Sequence, residues 1–374
     1  MGVEVREVRG PAGRRRFVDI PFRLFGHDPT WVPPLRLTVY SRLSPRHPAN
    51  EHQETALWTA WRDGHPVGRI GACVDRLFNE FQGLSWAWVG FFECFDDPEA
   101  ASALFDAASE WASSKGMATC VGPASFTTND ECGLLVEGFE HRPRILTPHN
   151  PTYYERLWRQ AGWQPAMDLW GWTLTRGNAA LAERQRSLLE RMRRRSDIRI
   201  RSVRMDDYDA DVGRVFEVYN AAWARNWGFA PMTEAEVRRV AKDLKQVLDP
   251  ELALLAERPT GEPVGVAICV PDVNQAMVGV RSGRLLPTGW WKLLRGARRA
   301  TEVRVFALGV KPEAQSRALG LLLYGELFER LEANHRIQTA EASWTLATNT
   351  AVNEPLQALG GRRYKTWRMY ERPL

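Results

Sequence analysis

The sequence predicts a mixed α/β protein made of two similar halves, each with a mixed, mostly antiparallel sheet flanked by helices. Three observations support this fold class. The 374 residues suffice for two domains at roughly 150 residues per domain. Short alternating apolar runs, typical of strands, follow longer runs with helical spacing in both halves. The order of hairpin, strand, helix and strand occurs twice, which predicts two domains of one architecture.

Composition and charge narrow the class of protein. Hydrophobic residues make up 44% and charged residues 25%, as in globular proteins, which excludes disordered, collagen-like and disulfide-scaffold classes. The sequence has neither an apolar run of membrane-spanning length nor the apolar stretch of a secretory signal near its start, so we expect a cytoplasmic protein. The net charge of +5 favours an anionic partner, either a phosphorylated cofactor, nucleic acid or lipid headgroups.

Cysteine and histidine spacing predicts neither disulfides nor a metal site. The five cysteines are odd in number, widely spaced and mostly set in apolar runs, so they are expected to be reduced core residues. No histidine pair or cysteine pair has zinc-ligand spacing. We therefore expect no metal.

The first half contains the elements of one domain, predicted over residues 1–176. Residues 52–62 and 66–74 alternate in polarity around Asp63-Gly64, which predicts a hairpin. The remaining predicted elements are a strand at 85–95, a helix at 98–115, a strand at 117–122, a long loop at 123–151, a helix at 151–161 and a strand at 167–174. Loops of this length in compact domains are usually functional.

The second half, residues 198–374, follows a predicted connector at 177–197 that carries a basic helix at 179–196. Its four arginines, Arg191 and Arg193–Arg195, either suit a helix C-terminus or form a phosphate-binding patch. Without aromatic residues among them, we expect no nucleic-acid partner. The predicted elements are strands at 198–204, 251–257, 263–270, 303–310, 339–347 and 366–371, and helices at 209–227, 233–248 and 316–334.

The segment 301–334 carries the most informative pattern. A strand with Val303, Val305 and Ala307 on one face ends at Lys311-Pro312, and an amphipathic helix with a leucine stripe follows. The turn between them, 315–320, places unpaired backbone N–H groups at a helix N-terminus. Such a turn binds a pyrophosphate.

This segment resembles the central motif of the GNAT superfamily of acyl-CoA-dependent N-acyltransferases. The family pattern Gln/Arg-x-x-Gly-x-Gly/Ala stands here as Gln315-Ser316-Arg317-Ala318-Leu319-Gly320, with alanine in place of the first glycine. The resemblance implies that acyl-CoA or acetyl-CoA is held by this turn and by Leu308, Gly309 and Val310 of the preceding strand.

The resemblance continues beyond the helix. Asn349 stands where the family has an asparagine that contacts the cofactor, but the position of its thiolate-protonating tyrosine is taken by Leu356. A thiol with a reference pKa near 8.5 leaves with little help, so the reaction does not require that acid. Glu302 stands where several members have a general base, and Glu341 on the next strand is the alternative. Glu302 is equally readable as a surface carboxylate.

The first half resembles the same domain without its cofactor turn. Its strand and helix meet at Asp96-Asp97-Pro98-Glu99, whose carboxylates would repel a pyrophosphate. Residues 149–163 resemble the closing element of a GNAT domain, although Asn150, Tyr153 and Tyr154 in it are equally readable as structural. We therefore expect two tandem GNAT-like domains, of which only the second binds CoA.

Residues 280–300 form an insertion in the second half. Trp290 and Trp291 lie among leucines and basic residues, a composition typical of a helix either at an anionic membrane surface or packed on the other domain. With this insertion, the chain is similar to the large two-domain GNAT proteins that include the bacterial ceramide synthases. The ceramide synthases join a long acyl chain from CoA to the amine of a sphingoid base.

The resemblance implies an acyl-CoA-dependent N-acyltransferase with a primary amine as acceptor, either a sphingoid-base-like lipid or a small amine. A non-catalytic acyl-CoA-binding or membrane-associated protein is the alternative. The expected acceptor-binding residues are Asn129, Asp130, Tyr153, Trp290 and Trp291. A peripheral position at the inner face of an anionic membrane is compatible with the basic insertion.

Overall fold

The computed structural model describes residues 2–179, 181, 183–314 and 317–374. The contacts divide the chain into two compact units. Unit 1 comprises Met1–Trp170, Ala276–Leu293 and Lys365–Leu374, and unit 2 comprises Gly171–Gln275 and Leu294–Tyr364. The predicted boundaries 1–176, 177–197 and 198–374 are a division along the chain and remain predictions.

Elements of the first part of the chain are given in order. The strands are β1 (Glu4–Glu7), β2 (Gln53–Arg62), β3 (His65–Asp75), β4 (Trp86–Cys94), β5 (Thr119–Gly122), β6 (Leu134–Glu137) and β7 (Gln164–Thr175). The helices are α1 (Gly10–Leu24), α2 (Arg36–Arg42), α3 (Arg76–Gln82), α4 (Pro98–Ser114) and α5 (Tyr154–Gln160). In unit 1 the strand order is β1-β2-β3-β4-β5, followed by the last strand of the chain, with β6 paired to that strand.

Elements of the second part complete the fold. The strands are β8 (Arg199–Ser202), β9 (Ala253–Glu257), β10 (Pro263–Pro271), β11 (Glu302–Val310), β12 (Thr339–Leu346) and β13 (Arg362–Pro373). The helices are α6 (Glu183–Arg195), α7 (Tyr208–Ala222), α8 (Glu234–Leu244), α9 (Asn274–Met277), α10 (Gly289–Ala297), α11 (Arg317–Ala333) and α12 (Thr350–Ala358). In unit 2 the strand order is β8-β9-β10-β11-β12.

Local sequence signals explain several of these elements. Asp63 and Gly64, with φ of 51° and 78°, form the turn of the β2–β3 hairpin, because a two-residue turn of this type needs positive φ at both positions. Thr233 and Glu236 form the predicted capping box at the start of α8. Asp97 caps α4 by accepting a hydrogen bond from the Ala100 N–H at 3.1 Å.

Each unit has its own core. In unit 1, α4 buries Ala100, Leu104 and Ala108 against the sheet, at the spacing of four residues that one helix face requires. In unit 2, Leu319 and Leu323 of α11 pack with apolar residues of β10 and β11 in the same way. The predicted leucine stripe is therefore confirmed as the buried face of α11.

Some predictions were incomplete. The sequence reading omitted β1, α1, α2, α3 and β6, and the last of these lies inside the predicted loop 123–151. Strands as short as β1 and β6, with four residues each, carry too few positions to show alternation. All five cysteines are buried with free thiols, as expected.

Candidate active site

The candidate site lies where two parallel strands of unit 2 separate. Within the described residues, β11 and β12 are paired only from Glu302–Val305 against Thr339–Ala342. Beyond this pairing β11 continues to Val310 along β10. Since α11 follows β11, the helix begins at the same end of the sheet at which the two strands part. The separation gives a ligand access to strand backbone beside a helix N-terminus.

A β-bulge at Phe306 marks the point of separation. Ile268 of β10 lies opposite Ala307, whereas Cys269 lies opposite Val305, so Phe306 is the extra residue. The bulge shifts the alternation of β11 by one position. Val305 and Leu308 are both packed in the α11 core as a result, and the prediction that Ala307 shares the face of Val305 was wrong.

The predicted pyrophosphate turn lies at the start of α11. Gln315 and Ser316 lie outside the described residues, and Arg317 and Ala318 are described only as backbone of the first helical turn. Leu319 is buried in the core of unit 2. At Gly320 no described atom lies within 4 Å of where a Cβ would stand, so a ligand can approach the helix closely there.

Strand residues near the turn have different roles. The Gly309 backbone passes under the Trp223 ring, which would lie 2.6 Å from a Cβ at that position. Val310 is buried against α11. Lys311, which follows directly, is buried and forms an ion pair with Glu217 of α7. The positive charge of Lys311 is thus already balanced by Glu217.

The two candidate bases occupy different positions along the strand pair. Glu302 lies at the start of β11, opposite Thr339, whereas Glu341 lies opposite Arg304, one residue before the last pair. The Glu341 side chain is fully buried. Of the two carboxylates, Glu341 is therefore the nearer along the strands to the point of separation.

Glu341 belongs to a buried polar network. Its carboxylate accepts hydrogen bonds from the hydroxyl groups of Ser343 and Tyr364. The Arg304 Nε donates a 3.0 Å hydrogen bond to the Ser343 Oγ, and the Arg304 Nη2 donates another of 3.0 Å to the Ser343 carbonyl oxygen. A buried carboxylate requires such partners, and here they fix its orientation at the edge of the strand separation.

Two asparagines near the end of β12 differ in their environment. Asn349 stands at the N-cap of α12, and its side chain forms no capping hydrogen bond. Asn353 is buried, with its Oδ1 2.7 Å from the Thr345 Oγ1 and 3.2 Å from the Trp172 Nε1. Asn353 thus holds α12 on β12, while the Asn349 side chain makes no such cap. Leu356 is buried and lines an apolar cavity.

Unit 1 has the corresponding strand pair, and its gap is filled by the chain itself. Strands β4 and β5 pair from Trp86 to Trp88, and the segment that follows β5 then runs along β4. The Ala124 N–H donates a 2.8 Å hydrogen bond to the Val89 carbonyl oxygen, and the Phe91 N–H donates one of 3.0 Å to the Ser125 Oγ.

The close fit of this segment depends on a glycine. A Cβ at Gly90 would lie 1.8 Å from the Ala124 carbonyl oxygen, so only glycine allows the contact. The end of β4 is held by two tyrosines. The Tyr153 hydroxyl donates to the Cys94 carbonyl oxygen at 2.8 Å, and the Cys94 N–H donates to the Tyr154 hydroxyl at 2.9 Å.

The N-terminus of α4, the helix that follows β4, is also occupied by side chains of the protein. Asp97 caps α4 and accepts hydrogen bonds of 2.7 and 3.0 Å from Arg62, which also pairs with Glu99 at 2.7 Å. The hydrogen bond from Arg62 lowers the pKa of the Asp97 carboxyl below its ordinary value. An intrinsic carboxylate thus takes the place at which an external anion would bind.

The predicted acceptor-binding residues of unit 1 lie in this same region. Asp130 accepts a 2.8 Å hydrogen bond from the Phe126 N–H and a 3.2 Å hydrogen bond from Arg42. The Asn129 N–H donates to the Thr127 Oγ1 at 3.3 Å. Burial raises the pKa of Tyr153, whose hydroxyl is hydrogen-bonded as described above. These contacts stabilise the filling segment, and any contact with an acceptor remains a prediction.

Trp290 and Trp291 lie on α10, with 48% and 51% of their surface exposed. Leu294 on the same helix is 43% exposed. In the part of the chain that the structure describes, no helix combines the length and apolarity needed to cross a bilayer. The described residues also contain no group of three or more histidine, cysteine, aspartate or glutamate side chains arranged to hold a metal ion.

Solved structures that share this fold include a tandem GNAT protein and GCN5-related N-acetyltransferases. A tandem GNAT protein from the clavulanic acid biosynthesis pathway aligns with a TM-score of 0.57 at 14% identity, covering 99% of this chain and 98% of that one. A GCN5-related N-acetyltransferase from Sphaerobacter thermophilus aligns with a TM-score of 0.51 at 17% identity, covering 99% and 95%. These structural similarities show that the chain has the GNAT fold.

Sequence relatives extend over the whole chain. A protein named bacterial ceramide synthase from Caulobacter vibrioides is 35% identical over 385 aligned positions, covering 100% of this chain and 98% of that protein. The chain belongs to the tandem GNAT family that includes this ceramide synthase. The protein YghO of Escherichia coli, another relative of this family, is 32% identical and covers 96% of this chain and 93% of its own length. No family model matches the chain.

Membership of the tandem GNAT family makes the chain an N-acyltransferase in its general class. Sequence reasoning missed the partners of Glu341 and the segment that fills the gap of unit 1. Polar residues at alternate positions of an otherwise apolar strand, as at Glu341 and Ser343, were a usable signal for the first. Nothing in the sequence signalled the second, because the contact follows from backbone geometry.

Proposed function

We propose that the protein is an acyl-CoA-dependent N-acyltransferase whose acyl donor binds in unit 2. The observation that carries this proposal is the separation of β11 from β12 beside the start of α11. In unit 1 the equivalent gap is filled by Ala124 and Ser125 and the helix is capped by Asp97. The contrast supports one donor site in each chain.

The donor would bind through groups of this chain with three functions. Backbone N–H groups at the start of α11 would bind the pyrophosphate, and Asn349 would contact the pantetheine arm. Backbone groups of Leu308, Gly309 and Val310 would hold the thioester in the gap and polarise its carbonyl.

The acceptor amine would attack this carbonyl. A carbon–nitrogen bond forms, the carbon–sulfur bond breaks, and the amine proton passes to Glu341 directly or through one water. CoA leaves as a thiolate and takes a proton from solvent, because Leu356 supplies no acid at the position of the family's tyrosine. We assign the base to Glu341 rather than Glu302 because it is nearer to the separation of the strands.

We propose a primary amine with an apolar chain, of the sphingoid-base type, as acceptor. The name of the Caulobacter relative supports this class, and so do the exposed Trp290 and Trp291 of α10, which suit a protein working at an anionic membrane surface. A small polar amine and a non-catalytic acyl-CoA-binding role are the alternatives, which the following experiment distinguishes.

The test measures release of free CoA thiol from palmitoyl-CoA and acetyl-CoA with sphinganine, with a small polar amine such as glucosamine, and with no amine. The proposal predicts release that depends on sphinganine, together with an N-acyl product detected by mass spectrometry. Release with glucosamine alone would favour a small-amine acetyltransferase. Binding of either thioester by calorimetry without amine-dependent release would overturn the enzymatic assignment and favour the binding protein.

A further inference from the structure

Unit 2 contains an apolar cavity that the chemistry described so far does not use. It has a volume of about 120 Å³ and lies between α11, α12 and the two strands β11 and β12. Its walls are mainly aliphatic and aromatic side chains, among them Val305, Leu308, Tyr324, Phe328, Leu331 and Leu356. A cavity with such walls binds apolar groups rather than the phosphates of a nucleotide.

The cavity begins at the separation of the strands. Leu308 lies beyond the last β11–β12 pair, whereas Ala340 and Thr339 lie within the paired region, and all three line the cavity. It therefore extends from the level of the gap, under α11, towards the start of β12. The β-bulge at Phe306 creates this alignment, because it brings Val305 and Leu308 to the same face of β11.

Arg176 lines the far end of the cavity and is itself exposed. Its guanidinium donates hydrogen bonds to the carbonyl oxygens of Leu331 at 3.0 Å, Glu332 at 3.1 Å and Asn334 at 2.9 Å. Its Nε donates to the Ile337 carbonyl oxygen at 3.0 Å. These bonds satisfy the last carbonyl groups of α11 and hold the end of that helix beside Ile337.

Tyr324 lines the cavity, and burial raises the pKa of its hydroxyl to about 12. A neutral phenol at this level adds no charge to the cavity, so the interior stays suited to a hydrocarbon.

We propose that this cavity holds the acyl chain of the donor and that its volume limits how many carbons it encloses. The inference rests on the proposed function, since it assumes that the thioester lies between β11 and β12. A cavity of about 150 Å³ holds a benzene-sized ligand, so the present one holds about six carbons. The donor class is therefore a medium-chain acyl thioester, or a longer chain of which only the first carbons are enclosed.

The inference predicts a specific dependence of affinity on chain length. Each methylene moved from water into the cavity raises affinity about fourfold. Dissociation constants measured by calorimetry for acetyl-, butyryl-, hexanoyl-, octanoyl- and dodecanoyl-CoA should fall steeply up to a chain of about six to eight carbons and then level off.

Two cavity variants test whether these side chains set the limit. Ala340→Leu adds volume inside the cavity and should lower the ratio of octanoyl-CoA to acetyl-CoA affinity at least about tenfold. Leu331→Ala enlarges the cavity and should move the plateau two or three carbons further, at about fourfold per carbon. Gln357→Leu is the control, since it adds the same side chain at an exposed position of α12 and should leave the ratio unchanged. Thermal unfolding of each variant checks that it is folded.

The outcomes separate this inference from the proposed function. If affinity does not increase from acetyl-CoA to octanoyl-CoA, or if neither cavity variant changes the ratio, the chain subsite is wrong while the transferase can still be right. If the chain-length dependence holds but no amine releases the thiol, the catalytic assignment is wrong and the subsite stands. If none of these thioesters binds, both are wrong.

Discussion

The backbone N–H of Ala124 donates a 2.8 Å hydrogen bond to the carbonyl oxygen of Val89. Through this bond unit 1 closes, with its own chain, the gap after the paired part of β4 and β5. Unit 2 has no such segment among its described residues beside β11 and β12, where the pairing stops at Val305 and Ala342. Two units with the same order of strands therefore differ in whether a ligand can reach the strand backbone.

The first prediction concerns stoichiometry. We expect one molecule of acyl-CoA to bind per chain, because the gap and the helix terminus of unit 1 are both occupied by protein atoms. Isothermal titration of the full chain with octanoyl-CoA checks this number. Two equivalent sites per chain would contradict the account of unit 1.

The second prediction concerns the base. Replacing Glu341 with glutamine keeps the size of the side chain but removes its ability to accept a proton, so kcat should fall at least about 100-fold. The KM for the acyl donor should change less than about threefold, since the carboxylate does not bind the donor.

The matched control for this variant is Glu302→Gln, at the other end of the β11–β12 pairing. It should change kcat less than about threefold. A large loss in Glu302→Gln together with full activity in Glu341→Gln would show that the two carboxylates have been assigned in the wrong order. Thermal unfolding of both variants shows whether the buried network around Glu341 has survived the change.

The third prediction concerns the surface of α10. Trp290 and Trp291 are about half exposed and lie near Lys292 and Arg295, so the helix should bind vesicles that contain anionic lipid. Replacing both tryptophans with serine should reduce the bound fraction at least about tenfold in a sedimentation assay with 30% phosphatidylglycerol. High salt should weaken the wild-type interaction.

Phe81→Ser is the control for the tryptophan variant. Phe81 lies on α3 of unit 1 with 49% of its surface exposed, so its loss tests whether any exposed aromatic side chain has the same effect. Equal loss of binding in both variants, or binding that does not depend on anionic lipid, would argue against a specific role of α10.

The fourth prediction concerns acid stability of unit 2. Burial raises the pKa of the Asp211 carboxyl, but hydrogen bonds from Arg201, Arg214 and the Arg204 N–H outweigh it and hold the pKa well below its ordinary value of 3.8. A lowered pKa in the folded state means that the carboxylate stabilises the fold above pH 3.8. This stabilisation is lost as the pH falls through the lower, folded-state pKa.

Asp211→Asn should therefore lower the free energy of unfolding at pH 7 by about 3 to 5 kcal/mol, since it breaks a buried ion pair. The difference from wild type should shrink below pH 3.8 in urea denaturation. Asp243→Asn on α8, where the exposed pair with Arg239 spans 3.4 Å, should cost less than about 0.5 kcal/mol. A difference that persists unchanged at low pH would contradict the role given to the carboxylate.

Much of the fold follows from the sequence for identifiable reasons. Asp63-Gly64 specifies a hairpin turn, and the spacing of Leu319, Leu323 and Leu327 specifies one buried helix face. These signals are local and depend on the side chains of a few neighbouring residues. The motif from Gln315 to Gly320 likewise identified the family from a short segment.

The site itself was only partly predictable. The bulge at Phe306 depends on the pairing with β10, which no local pattern specifies, and it reverses the faces expected for Ala307 and Leu308. The partners of Glu341 include Tyr364, which lies 23 positions away in the sequence. Contacts of this kind come from tertiary packing, so residue types and spacing alone cannot supply them.

A crystal structure of the full chain with a non-hydrolysable octanoyl-CoA thioether would show directly whether the donor binds in unit 2. We expect the pyrophosphate at the start of α11, the pantetheine arm between β11 and β12 beyond Val305 and Ala342, and the acyl chain directed under α11. Density for the pantetheine anywhere else, such as beside β4 in unit 1, would contradict this expectation.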